Sequence, residues 1–376
     1  MARLEAPAFW PVLVHCASSD LDLPSGRLRR LLSGQPDWEE LIRRLAEHGL
    51  LGAFKRLLEI EGCADLLPES VLPVVKGTCR METMAGLVRE QLTERVLRAL
   101  AERSIPLMPV KGIHLSEKVY PRRGIRPLSD VDLLTTRGCI EDAALALTEL
   151  GLEAQANHTP TFRSSGAFEV VFEVDALRGR TKSRFRETYL IDADEVWTAS
   201  IPGELFGVGV REMRPEHLLI YLSLHLAERH YFERLIWLRD IREVIIGYGD
   251  AIDWEYLAGC AKRWRAASYT YFSLLLASRL AGAPLGQAAL APLRPRYPEA
   301  RLFERLLTAG GGPQLPFAAW SVERQLLSVL GDGFLRRAWA EATFPIHAAM
   351  RMWWRSRNRL EPGRARRANA PEAGGA

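Results

Sequence analysis

At 376 residues the chain exceeds what one hydrophobic core usually organises, so two or three packed subdomains are expected. Its hydrophobic share of 48% is that of an ordinary globular protein, and a net charge of +4 is too small to mark a dedicated binder of long nucleic acid. The five cysteines (Cys16, Cys63, Cys79, Cys139, Cys260) are scattered, odd in number and without zinc-site spacing, which points to a reducing, cytoplasmic setting.

Residues 36–104 read as helices. Trp38, Leu41, Ile42, Leu45 and Leu50 recur at helical spacing, with Asp37 as a candidate cap. Pro68 and Pro73 mark a turn, and a long helix is predicted from about Leu72 to Arg103, with Met84, Leu87, Leu92, Val96 and Leu100 on its apolar face. Pro106 ends that run; Leu107–Val110 reads as a short strand, then come a Lys-Gly turn and a helix over 113–120. Val131–Thr135 reads as a strand and Glu141–Leu150 as a helix stopped by Gly151. In the segment 168–177, Phe168, Val170, Phe172 and Val174 alternate with Glu169, Glu173 and Asp175, the signature of a half-buried strand. A basic loop covers 178–186, and helical segments cover 215–248, 253–281 and 318–358. The end, 361–376, is rich in Pro, Gly, Ala and Arg and reads as a disordered tail. No signal peptide is expected, and no apolar run approaches the 18 or so residues of a membrane helix; Leu218–Leu226 comes nearest and is interrupted by His225.

The chemistry concentrates between Lys111 and Asp132. An apolar strand ends in Lys111-Gly112, a helix follows, and Asp130-Val131-Asp132 opens the next strand. Side chains at i and i+2 on a strand share a face, so Asp130 and Asp132 project together while Val131 and Leu133 enter the core. Two carboxylates held this close repel, and a divalent cation is the usual reason to hold them so; Mg²⁺ commonly binds one or two carboxylates plus substrate phosphates.

The combination Val110-Lys111-Gly112, Tyr120-Pro121, Arg126-Pro127 and Ser129-Asp130-Val131-Asp132-Leu133-Leu134 resembles an uncharacterised bacterial nucleotidyltransferase family of the polymerase-β-like superfamily. The specific resemblance covers roughly residues 105–180. It implies an α+β fold, a small mixed β-sheet catalytic core at 105–212, between an N-terminal helical region at 1–104 and a C-terminal helical domain at 213–360. It further implies Mg²⁺ or Mn²⁺ as cofactor, an NTP such as ATP as co-substrate, and a small-molecule, peptide or protein acceptor. Asp130 and Asp132 would be two metal-binding, catalytic acids. The third would come from a later strand of the sheet: Glu173 is the first choice and Asp175 the second. Where the superfamily usually has Gly-Ser, this chain has Lys-Gly followed by Ile113, so the hydroxyl that often contacts phosphate is absent. Lys111 and Gly112 would then hold the triphosphate, one as a point charge and the other by close backbone approach. Arg126 is either a phosphate ligand or the partner that orients Asp130.

Other candidates carry less. Arg122, Arg123, Arg178, Arg180 and Lys182 are basic residues near the motif. His217, His225 and His230 lack a metal-binding spacing and read as interface histidines, with His225 or His230 as possible cleft residues; Trp237 and Asp240 read as helix packing and a buried polar anchor. Trp353-Trp354 among Arg351, Arg355, Arg357 and Arg359 suggests a solvated basic helix face, with contact to a membrane surface or to nucleic acid as alternatives. The leading expectation is nucleotidyl transfer with release of pyrophosphate. Kinase-like phosphoryl transfer on the same metal site, or a binding module that has lost catalysis, are the alternatives.

Overall fold

In the computed structural model, which describes residues 7–155, 160–177, 189–230 and 232–296, the chain begins with a run of helices. These are α1 (Trp10–Ser18), α2 (Arg27–Leu32), α3 (Trp38–Glu47), α4 (Leu51–Ile60) and α5 (Val71–Glu102). Asp37 caps α3 as expected, its side chain accepting from Glu40 N. The long α5 leads to β1 (Met108–Val110), and α6 (Lys111–Lys118) follows β1 with no intervening loop. Then come β2 (Asp130–Thr135), α7 (Ile140–Glu149), β3 (Glu153–Gln155), β4 (Thr161–Arg163) and β5 (Val171–Ala176). A short α8 (Ala193–Thr198) precedes the hairpin β6 (Ile201–Leu205) and β7 (Val208–Glu212). The remaining helices are α9 (Pro215–Leu224), α10 (Leu235–Tyr248), α11 (Trp254–Arg263), α12 (Ala267–Leu280) and α13 (Gln287–Leu290).

The fold is α+β. Its main sheet has the order β1-β2-β5-β4-β3, with β2 and β5 parallel and the other neighbours antiparallel. Strand periodicity separates two chemistries across this sheet. Val131, Leu133, Phe172 and Val174 form one core with Val96, Leu97 and Leu100 of α5 and Ala143, Ala146 and Leu147 of α7. The opposite face carries the acids. Arg211 N of β7 donates to Leu107 O at 2.7 Å, which joins the hairpin to the start of β1.

Several sequence expectations change in detail: Pro73, expected in a turn, lies in the first turn of α5, and Met84 and Leu87 of the expected apolar face are exposed. The alternating strand starts at Val171, and Phe168 lies before it, half-buried. The helical stretch 215–248 is broken: after α9 the backbone widens into a π-turn over His225–Arg229, and α10 begins only at Leu235. The 253–281 stretch is two helices, separated where Arg265 takes a left-handed φ of +57°. The 178–186 basic loop, the 318–358 helical expectation with its Trp-Arg face, and the 361–376 tail lie outside the described residues. Those described all fall within one unit, Met1–Leu315, and none of their helices is long and apolar enough to cross a membrane.

Candidate active site

The site is built on the central parallel pair. Asp132 stands opposite Glu173, Asp130 opposite Val171, and Leu134 opposite Asp175. Because both strands expose alternate residues on the same side, Asp130, Asp132 and Glu173 meet on the sheet face away from the core. One carboxylate oxygen from each lies within 4.8 Å of the others. Asp132 is the most buried, at 6% exposure, while Asp130 and Glu173 are half-buried. Ser129 Oγ donates to Asp130 Oδ1 at 2.7 Å. Asp175 sits two pairs further along β5, where its Oδ1 accepts from Ala176 N at 2.9 Å, and it is not in the converging trio.

Lys111 closes the site from β1. Val110 pairs with Asp132 across the sheet, which brings the next residue of the turn over that carboxylate. Lys111 Nζ donates to Asp132 Oδ1 at 2.5 Å, with side-chain exposures of 15% and 9%. Its backbone is left-handed, with φ of +51°. That conformation costs an L-residue roughly 1–2 kcal/mol, so the turn holds a strained residue where glycine would sit freely.

The electrostatics are tight. Burial pushes the Asp132 carboxyl up to about 6; Asp130 and Glu173 add to the rise and Lys111 opposes it. Burial also works against the Lys111 charge, but Tyr221 of α9 and the two aspartates outweigh it and raise the ammonium's pKa. Asp132 and Asp130 thus both act on the Lys111 charge, which is hydrogen-bonded to Asp132. A set of hard oxygen donors at this spacing fits a divalent ion such as Mg²⁺ or Mn²⁺.

Gly112 and Arg126 belong to one construction. A Cβ built on Gly112 would lie 2.7 Å from Arg126 Nη1 and 2.9 Å from Leu128 Cδ2, so a larger residue would displace the guanidinium and the leucine from the turn. Arg126 reaches Asp240 of α10 through Nε–Oδ1 and Nη2–Oδ2 contacts of 2.8 Å each. Tyr120 Oη donates to the same Oδ1 at 2.8 Å. Its carboxylate partner is therefore Asp240, the buried polar anchor of the sequence reading, and the bidentate pair ties the loop before Asp130 to α10. Arg122 pairs with Asp22, and Arg123 with Glu90 and Glu117.

Two features near the site carried no sequence signal. Tyr221 lies inside a helical run noted only for its leucines. Arg89 sits on α5 at 6% exposure, in a helix whose other marked positions are apolar.

The histidines fall elsewhere. His225, His230 and Trp237 stack on one another, with His230–Trp237 centroids 4.1 Å apart. His217 is fully buried against Tyr256 and Trp264. With Glu195 and Cys260 it forms a second group of ligand-type atoms within 4.8 Å of one another. There Glu195 accepts from Trp264 Nε1 at 3.0 Å and from Arg263, and Tyr256 Oη lies 3.1 Å from His217 Nε2. That group comes from α8, α9 and α11, separations of 22 and 43 residues that no spacing motif encodes.

Residues 34–282, about two thirds of the chain, match the model of a family described as "Uncharacterised nucleotidyltransferase". The chain belongs to this family. No protein of curated function matches the sequence. Among solved structures, similarity is found to an antigenic nucleotidyltransferase-like protein from Paracoccidioides brasiliensis, at 15% identity and TM-score 0.29, covering 42% of this chain and 75% of that one. It is also found to ANT(2″)-Ia in complex with adenylyl-2″-tobramycin, at 16% identity and TM-score 0.31, covering 49% and 98%. A solution structure of ANT(2″)-Ia gives 16% identity and TM-score 0.32, covering 50% and 95%. The family assignment rests on the match over residues 34–282.

Proposed function

We propose that this member of the nucleotidyltransferase family moves a nucleoside monophosphate from an NTP to a hydroxyl or phosphate of a small-molecule, peptide or protein acceptor, with release of pyrophosphate. The observation that carries this reading is the convergence of Asp130, Asp132 and Glu173 within 4.8 Å beside the Lys-Gly turn. These three would hold Mg²⁺ or Mn²⁺, and Glu173 rather than Asp175 is the third acid. When bound, the divalent ion offsets charge on the phosphate oxygens of the reacting nucleotide.

The chain's own groups supply the rest. The acceptor oxygen bonds to the α-phosphorus as the bond to the bridging oxygen of pyrophosphate breaks. Glu173, which is half-buried, takes the acceptor's proton. Lys111 exchanges Asp132 for the β- or γ-phosphate, as a compact charge that can follow the leaving group. The N–H groups at the start of α6, beside Gly112, face the same anion. Arg126 acts at one remove: with its fork on Asp240 it fixes Gly112 and the approach to Asp130.

The test is incubation with Mg²⁺, α-labelled NTPs and an acceptor pool, in parallel with γ-labelled ATP. Transfer of α-label with pyrophosphate release, abolished in Asp132→Asn, is the expected result. Transfer of γ-label with ADP would assign a kinase instead. Transfer of neither label, with no pyrophosphate from any NTP, would leave a binding module.

A further inference from the structure

A cavity of about 220 Å³ lies between α4, α5 and the segment 123–128. Its walls are largely apolar or small, with Leu51, Gly52, Leu87, Ile125, Pro127 and Leu128 among them. Two glutamates, Glu82 and Glu90, and three arginines also line it. Two of the arginines are committed: Arg123 pairs with Glu90 and Glu117, and Arg126 with Asp240. The third, Arg89, is 6% exposed, and its Nε is fully buried with no hydrogen-bond partner. Among the described residues no carboxylate or carbonyl pairs with its guanidinium. Burying an unpaired charge is strongly unfavourable, and burial does pull the Arg89 pKa down. Such a group is normally retained where a ligand completes it. A guanidinium presents a planar fork that matches the two oxygens of a carboxylate or phosphate.

The position matters as much as the charge. Leu128, in the cavity wall, is two residues from Asp130, and the Glu82 and Asp130 carboxylates both act electrostatically on Arg89 without hydrogen-bonding to it. A group bound in the cavity would therefore lie next to the reacting centre.

We propose that Arg89 and the cavity it lines bind an anionic group of a substrate, a phosphate or carboxylate borne by a body that the apolar walls accept. This rests on the nucleotidyltransferase reading only for the word substrate; the anion site stands on the unpaired guanidinium. The anion belongs either to the NTP or to the acceptor.

Three probes separate these sources by calorimetry on the full-length protein: Mg²⁺–ATP, inorganic phosphate without metal, and benzoate without metal. Wild type, Arg89→Met, Arg89→Lys and Asp132→Asn are compared. If the acceptor supplies the anion, Arg89→Met weakens phosphate or benzoate at least tenfold and leaves Mg²⁺–ATP unchanged. If the nucleotide supplies it, Mg²⁺–ATP weakens by that factor instead. Arg89→Lys should recover part of either loss, and Asp132→Asn should keep the metal-free binding. Without any anion, Arg89→Met should melt at or above the wild-type temperature, because it removes an unpaired charge. Wild-type affinity of Arg89→Met for all three probes, binding of none by wild type, or a lower melting temperature without anion would each overturn the proposal. Arg89-dependent phosphate binding in a protein that ignores Mg²⁺–ATP would instead remove the nucleotidyl reading and leave the anion site.

Discussion

Removing the Lys111 charge should move metal affinity and nucleotide affinity in opposite directions. In the free protein the ammonium lies 2.5 Å from Asp132 Oδ1, with both side chains largely buried. Breaking such a pair by deleting one partner typically costs about 3–5 kcal/mol, since the other charge is left buried. Lys111→Ala should lose stability of that order in the absence of metal. Lys111→Gly should lose roughly 1–2 kcal/mol less, because the left-handed φ of +51° strains alanine but not glycine. Both variants leave Asp130, Asp132 and Glu173 without their nearest cation, so Mn²⁺ or Mg²⁺ alone should bind about tenfold or more tightly, a gain of at least ~1.4 kcal/mol. Nucleotide binding should go the other way. Loss of one charge-assisted hydrogen bond to phosphate, about 1.5–3 kcal/mol, corresponds to roughly 10- to 150-fold weaker Mg²⁺–ATP. Urea denaturation with and without metal, plus calorimetry with Mn²⁺ alone and with Mg²⁺–ATP, reads all of these terms. The reasoning fails if Lys111→Ala is as stable as wild type without metal, or if both affinities shift in the same direction.

The third acid can be decided by a pair of isosteres. Glu173→Gln should abolish turnover and metal-dependent stabilisation, whereas Asp175→Asn should keep the metal response, as followed by a thermal shift with Mg²⁺. For the Arg126–Asp240 pair, Asp240→Asn should cost about 3–5 kcal/mol in urea denaturation, and Arg126→Lys should not rescue the fold fully, because lysine cannot span both carboxylate oxygens. Gly112→Ala should destabilise by about 1–3 kcal/mol, since its methyl would enter the space of the Arg126 guanidinium; an unchanged urea midpoint would contradict that packing. Acid should also weaken the fold through two buried imidazoles. Burial lowers His48 and His114 to about 4, below an unfolded value near 6.5. The unfolded chain then binds more protons, so their contribution is complete above pH 6.5 and is lost as pH falls towards 4. Ring titration by NMR should show neither histidine protonating above about pH 5 in the folded protein.

What the sequence made legible here was local periodicity. Asp-x-Asp on a strand places two acids on one face whatever surrounds it, and the alternation of Phe172 and Val174 with Glu173 and Asp175 does the same for β5. Periodicity does not encode register, however. Whether Asp132 faces Glu173 or Asp175 depends on how far β5 slides along β2, and a shift of two residues exchanges them without disturbing the core face. That choice is made by tertiary contacts, and here Asp132 pairs with Glu173. The same limit hid Asp240 as the partner of Arg126, which is 114 residues away. It also hid Arg89, since a charged residue on a long helix reads as solvated until the fold shows what covers it.

The structural logic of the site follows from that long-range pair. Arg126 was open to two readings, as a phosphate ligand or as an orienting partner, and its two 2.8 Å contacts to Asp240 leave the guanidinium with a carboxylate already bound. A ligand phosphate would have to displace a bidentate buried carboxylate to reach it, leaving Asp240 unpaired beside Tyr120. Lys111 faces the opposite situation. Its partner Asp132 is one of the three converging acids, and under the proposed function a divalent ion held there would offset their charge and free the ammonium for a phosphate. Of these two cations, Lys111 sits on the acid cluster and Arg126 holds the turn. On the proposed function, that division would let a chain lacking the usual hydroxyl after its glycine present a positive charge to phosphate.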